Sequence, residues 1–238
     1  MKYLTSAAVG AVILGAASMS QAATVDFNNI AAGTTVGSNT NLGGGIIADI
    51  VAGGAGNDGA VILDTTPGSV GSGNDGDLTS PFSDAEGNLA SRSFGNSLIV
   101  QEDQSNQNNP TTGPDDLGSG GTLSLSFQSD VTVTSLFLLD VQEGSSATLL
   151  LDGSVVASFD VDADNEADTG NNPNNNRFTF FDFGGLVGDE LLVTFAASGA
   201  IGEFEATSVA PVPVPASMPL LVGGFGMMAY MRRRRKTS

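Results

Sequence analysis

Thr122-Leu123-Ser124-Leu125-Ser126-Phe127, then Val131-Thr132-Val133-Thr134-Ser135-Leu136-Phe137-Leu138-Leu139-Asp140-Val141 after three polar residues, is the stretch that decides the fold. The first run alternates polar and apolar residues at a period of two, the repeat of a pleated strand, so Leu123, Leu125 and Phe127 share one face. The second run continues as another strand, and its Leu136-Phe137-Leu138-Leu139 centre is apolar enough to be buried on both sides. Downstream, Thr148 to Leu151 and Ser154 to Val161 flank Asp152-Gly153, a pair that tolerates the positive φ values of a type I′ turn and so predicts a hairpin. Phe178 to Phe183, Glu190 to Phe195 and Gly202 to Thr207 supply three more strands. Upstream, Thr24 to Asn28, Ile46 to Val51, Ala60 to Leu63 and Ser97 to Val100 read as shorter ones. Outside the two ends no window has the period of an amphipathic helix. The expectation is an all-β chain: a single antiparallel β-sandwich, jelly-roll-like, over residues 23–208.

The composition excludes most chemistry. The chain has 238 residues with 26 Asp and Glu, 8 Lys and Arg, and no His, Cys or Trp. Without His or Cys there is no Ser-His-Asp triad, no thiolate, no zinc or haem ligand set and no disulfide. Residues 23–208 carry all 26 acids and only Arg92 and Arg177 as bases, a net charge of −24. Such a body repels phosphate, so nucleic acid is not a partner. Cations are.

The ends read as addresses. Lys2 and the small, apolar run Ala7 to Ala17 precede Ser20-Gln21-Ala22, the pattern of a secretory signal helix over residues 1–22 cleaved between Ala22 and Ala23 and delivered to the Sec translocon. The run is too short for a permanent anchor across a ~30 Å hydrocarbon core. Residues 209–238 have three parts: a proline-stiffened box at 212–217, an apolar Gly- and Met-rich segment at 216–231, and Arg232-Arg233-Arg234-Arg235-Lys236. As a helix, 216–231 reaches roughly 24 Å, and snorkelling arginines can close the remaining gap to a membrane span. The basic cluster stays cytoplasmic by the positive-inside rule, which puts the body outside the inner membrane.

This tail resembles the PEP-CTERM class of sorting signals, and most closely its Val-Pro-Leu-Pro-Ala variant. Val212, Pro213, Pro215 and Ala216 match the box, while Val214 stands where the variant carries Leu and the main class Glu. The resemblance implies recognition and removal of the tail by an exosortase during export to the cell surface or exopolysaccharide matrix of a Gram-negative bacterium. A plain C-terminal anchor is the alternative. The body is similar to bacterial ectodomains that precede such tails, on Leu63-Asp64, Asp75-Gly76-Asp77-Leu78 with Ser80-Pro81-Phe82, Gly95 to Asp103, Gly120-Gly121-Thr122-Leu123, Ser135 to Asp140 and Ser198-Gly199-Ala200-Ile201. That similarity implies a β-sandwich without an assigned activity.

What chemistry remains belongs to carboxylates. Tyr3 and Tyr230 lie in the two ends and the body has no Lys, so a glycosidase built on two carboxylates is the one enzyme class left, and 26 acids make a chance pair uninformative. No catalytic residues are assigned, and the protein is expected not to be an enzyme. A structural matrix protein is the leading expectation, with a Ca²⁺-dependent, lectin-like carbohydrate-binding module as the alternative.

Ca²⁺ suits the carboxylate-rich loops, since it accepts six to eight oxygen ligands in irregular geometry. The candidate ligands are Asp64, Asp75 and Asp77 from one glycine-rich loop, with Glu102, Asp103, Asp115 and Asp116 from the long loop after Val100. Both loops flank strand ends. Two other acidic patterns fall short. Asp160 to Asp168 begins like an EF-hand loop but has Asn165 at the sixth position and Asn171 at the twelfth, and reads better as a solvated loop. Gly53 to Gly59 fits a calcium nonapeptide but is followed by Ala60 where a large apolar residue is needed, and its echo at 71–76 is 17 residues away.

Overall fold

The computed structural model describes residues 23–38, 42, 45–69, 76–85, 88–102, 113–161, 176–209 and 225. Its strands are β1 (Ala23–Val25), β2 (Thr35–Val36), β3 (Ile47–Gly53), β4 (Asn57–Asp64), β5 (Ser83–Asp84) and β6 (Asn96–Glu102). They continue with β7 (Gly121–Leu139), β8 (Ser146–Leu151), β9 (Ser154–Asp160), β10 (Arg177–Phe195) and β11 (Ala200–Ser208). The chain is all-β. Every pairing is antiparallel except the short one between β5 and β10. Among the described residues the single helical position is Phe225, and no helix is long and apolar enough to cross a membrane. The expected helices at 1–22 and 216–231 lie outside the described residues.

Two 19-residue strands organise the sheet, and they correct the expected strand list. Gln128-Ser129-Asp130 looks like a turn between two strands, yet it stays extended within β7, its residues exposed and the Asp130 carbonyl accepting from the Val209 N–H at 3.1 Å. Likewise 178–183 and 190–195 belong to one strand, β10. Gly184 and Gly185, at φ 63° and 78°, form a bulge between Asp182 and Leu186, and a second irregularity falls between Gly188 and Glu190. A bulge adds a residue and bends a strand without ending it.

These bends let each long strand serve two sets of neighbours. The first part of β7 pairs with β3, the second with β11, and β10 accompanies both. The first core cluster takes Leu123, Leu125, Val131, Val133, Leu136 and Leu138 from β7, together with Val25, Phe27, Ile47, Leu191 and Phe204. The step from odd to even core positions between Val133 and Leu136 follows from the register shift against β11, which makes Thr134 an extra residue there. The other face of the second half is covered as well: Phe137 and Leu139 pack with Val61, Leu78, Phe82, Phe94 and Phe178 in a second cluster. Burial of 136–139 on both sides, expected from the sequence, is observed. So is the β8–β9 hairpin, whose Asp152 and Gly153 adopt φ of 52° and 71°. The described residues 23–209 belong to one compact unit.

Candidate functional site

The acidic loops were the expected site, and the structure draws part of that set together. Asp77, just before buried Leu78, and Glu102, at the end of β6, are both close enough for their charges to raise the pKa of Asp115. The backbone fixes Asp115 there: its carbonyl accepts from the Glu102 N–H at 3.1 Å, and its own N–H donates to Gln101 Oε1 at 3.3 Å. Burial first, and then the charges of Glu102 and Asp77, push the Asp115 carboxyl up to about 6 against a hydrogen bond from the Asp116 backbone that lowers it. Asp64 and Asp116 are engaged elsewhere. Asp64 closes its own turn by accepting from the Thr66 N–H at 2.9 Å, and Asp116, only 6% exposed, accepts from the Gly199 N–H. Among the described residues, no group of three or more acids is arranged to hold a metal ion. Asp75 and Asp103 lie outside the described residues, as do Ala22, the 212–216 box and the 232–236 cluster. Ala23 opens β1, paired with Ala206.

A second arrangement, which sequence reasoning missed, occupies one face of β10, β7 and β11. Cross-strand registers place Phe180, Phe137 and Glu203 in one row, and Asp182, Ser135 and Glu205 in the next, with Thr24 of β1 opposite Glu205. Residues two apart on a strand point to the same side, so the rows form a lattice at sheet spacing. Phe137 and Phe180 lie with ring centroids 4.9 Å apart, and Phe180 keeps 38% of its surface exposed.

Arg92 closes one end. Its residue is held by a two-way backbone bridge to Phe82, at 2.8 and 3.0 Å, and neighbouring Phe94 is wedged among Phe82, Phe137 and Phe178. The guanidinium therefore lies 4.2 Å from the Phe137 ring centroid and 5.0 Å from that of Phe94, while its Nη2 donates to Glu203 Oε1 at 2.5 Å. Burial raises the Glu203 carboxyl above its ordinary value; Arg92 pulls it down, and Asp26 and Glu205 push it up. Asp182 Oδ1 accepts from the Gly184 N–H at 2.8 Å, and no hydrogen bond or ion pair engages the Glu205 carboxylate among the described residues. The whole lines a groove of about 410 Å³, inside the ~300–1,000 Å³ range of small-ligand clefts. Chemically it offers an aromatic edge, one fixed guanidinium and carboxylate acceptors.

The sequence carried a faint signal for it. Arg92 is one of two bases in the body, and Phe180/Asp182, Glu203/Glu205 and Ser135/Phe137 each sit two apart on a strand. Only the register showed that the three pairs adjoin.

No protein-family model matches the chain, and no curated protein does. Among solved structures the chain is similar to the Streptococcus pneumoniae fucose binding module SpX-3, at 10% identity and a TM-score of 0.26 over 40% of this chain and 69% of that one. A mutant of the lectin binding domain of Lectinolysin complexed with Lewis b gives 10% identity and 0.27 over 40% and 68%. GH31 CBM32-2 bound to GalNAc gives 14% and 0.25 over the same shares. At such TM-scores the likeness carries no weight for fold or ligand.

Proposed function

We propose that this chain is a non-catalytic protein of the cell surface or exopolysaccharide matrix, whose body is a jelly-roll-like sandwich that holds glycan in the Arg92 groove. The observation that carries the glycan reading is the lattice itself: a partly exposed aromatic ring beside hydroxyl and carboxylate groups at sheet spacing, with a guanidinium fixed at its border. A sugar ring has an apolar C–H face and a rim of hydroxyls, and these surfaces match it. The lectin-like alternative thus gains over a purely structural matrix role.

Hydrolysis is the competing use of three carboxylates. It needs one protonated carboxyl free to give its proton to the glycosidic oxygen. Glu203, whose carboxyl burial raises, is tied to Arg92 instead. Incubation with bacterial exopolysaccharide is the test. The protein is expected to be retained on the polymer without releasing new reducing ends; steady release of reducing ends would make it a glycosidase.

Export and sorting are part of the proposal and rest on the sequence: the signal at 1–22, and the box, apolar segment and basic cluster at 212–236. So does Ca²⁺. In its favour, Glu102 and Asp77 each lie near enough to Asp115 to repel its charge, and Asp75 and Asp103 adjoin those loops in sequence.

A further inference from the structure

Resting on the reading that the Arg92 groove holds a glycan, we propose that the groove selects sugars carrying a free, protonated amine, with Glu205 and Asp182 receiving the ammonium group and Phe180 packing against the ring. Charge within the groove is the first argument. Asp182, Glu203 and Glu205 face a single guanidinium, and that guanidinium is already paired with Glu203 at 2.5 Å. Among the described residues, Asp182 and Glu205 are left without a cation. Glu205 has no hydrogen-bonding partner among the described residues, and only one Asp182 oxygen is engaged, by the Gly184 N–H.

Position is the second argument. Asp182 and Glu205 lie opposite the same residue, Ser135, from either side of β7, so their strands are two inter-strand gaps apart, about 9.6 Å. A ring set over Ser135 reaches both, one through an ammonium and the other through hydroxyls. Phe180 stands two residues from Asp182 on the same side of β10 and, 38% exposed, can pack against the apolar face of that ring. A neutral or N-acetylated sugar makes the packing and hydroxyl contacts but leaves the surplus charge unanswered. An anionic sugar adds to it.

The test uses the full-length chain, extracted in detergent from an exporting host and titrated calorimetrically with short oligosaccharides of β-linked glucosamine and with their fully N-acetylated counterparts. The amine form is expected to bind about fivefold tighter, the worth of one partly screened ion pair. Glu205→Gln is expected to cut affinity for the amine form about fivefold and leave the N-acetylated form unchanged, whereas Phe180→Ala weakens both alike. Glu143→Gln, an exposed acid away from the groove, is expected to change neither. Thermal melts of each variant confirm folding. Equal affinity for both sugars, with loss of both in Phe180→Ala, would overturn the amine preference and leave the glycan groove standing. Amine-form binding that survives Glu205→Gln and Phe180→Ala would mean general attraction to a −24 body and overturn the site. No binding of either sugar would overturn the glycan reading with it.

Discussion

Asp115 is the residue at which the electrostatics of this chain can be read most simply. Its carboxyl is raised from 3.8 to about 6, so between these values the folded state holds a proton that the unfolded chain has lost. The stability from this group is therefore fully present below about pH 4 and is lost as the pH rises through 6. In EDTA, Asp115→Asn is expected to stabilise the protein near pH 7.5 by about 1 kcal/mol, the ~1.4 kcal/mol per pKa unit discounted for a half-exposed group. It should also flatten the fall of the melting midpoint between pH 4 and 6; an unaltered slope would mean that Asp115 is not the group responsible. That Asp77 and Glu102 act on Asp115 was foreshadowed in the sequence only in that all three fall in or beside acidic loops between expected strands; Glu102 alone closes a strand, β6. Arg92 was legible only as a rare charge. Its place over Phe137 depends on Phe82 and Phe94 anchoring a segment without regular alternation, and periodicity carries no information about that.

Among the elements, β7 and β10 decide how the sheet is built, and their lengths were what the sequence concealed. Period-two alternation located Leu123, Leu125 and Phe127 on one buried face correctly. Gln128-Ser129-Asp130 and Gly184-Gly185 carry turn chemistry, and nothing local distinguishes a turn that reverses the chain from a bulge that bends it. Partner strands decide that, and they come from elsewhere in the chain. The start of β7 also depends on one glycine. Gly120 has φ 79°, and a Cβ there would run into the Phe195 carbonyl oxygen and the Ala196 backbone. Gly120→Ala is expected to destabilise by about 2–4 kcal/mol, since the left-handed backbone and the backbone clash add. Gly153→Ala, with positive φ at 71° but open space around the position, should cost only about 1 kcal/mol. Equal losses in chemical denaturation would refute this distinction.

For the whole molecule, charge dominates. A body with a net charge of −24 repels itself, and a Debye length near ~8 Å at physiological ionic strength leaves acids on neighbouring loops unscreened. If Ca²⁺ binds the folded state at the Asp77–Glu102–Asp115 side, a hundredfold excess over Kd contributes about 2.7 kcal/mol. That corresponds to roughly 5–10 °C in the melting midpoint of a domain this size. Matching midpoints in millimolar Ca²⁺ and in EDTA, at equal ionic strength, would remove the cation from the account. Intact mass of surface-extracted protein is expected to lack residues 1–22 and the 232–236 cluster; a species retaining Arg232–Lys236 would make the tail a permanent anchor. The most direct test of the central claim is amide hydrogen exchange of the protein with and without bound oligosaccharide, read together with the mass of the sugar. Protection confined to peptides covering 135–137, 180–182 and 203–205, with the oligosaccharide recovered at full length, is the predicted result. Protection elsewhere on the body, or a shortened oligosaccharide, would contradict it.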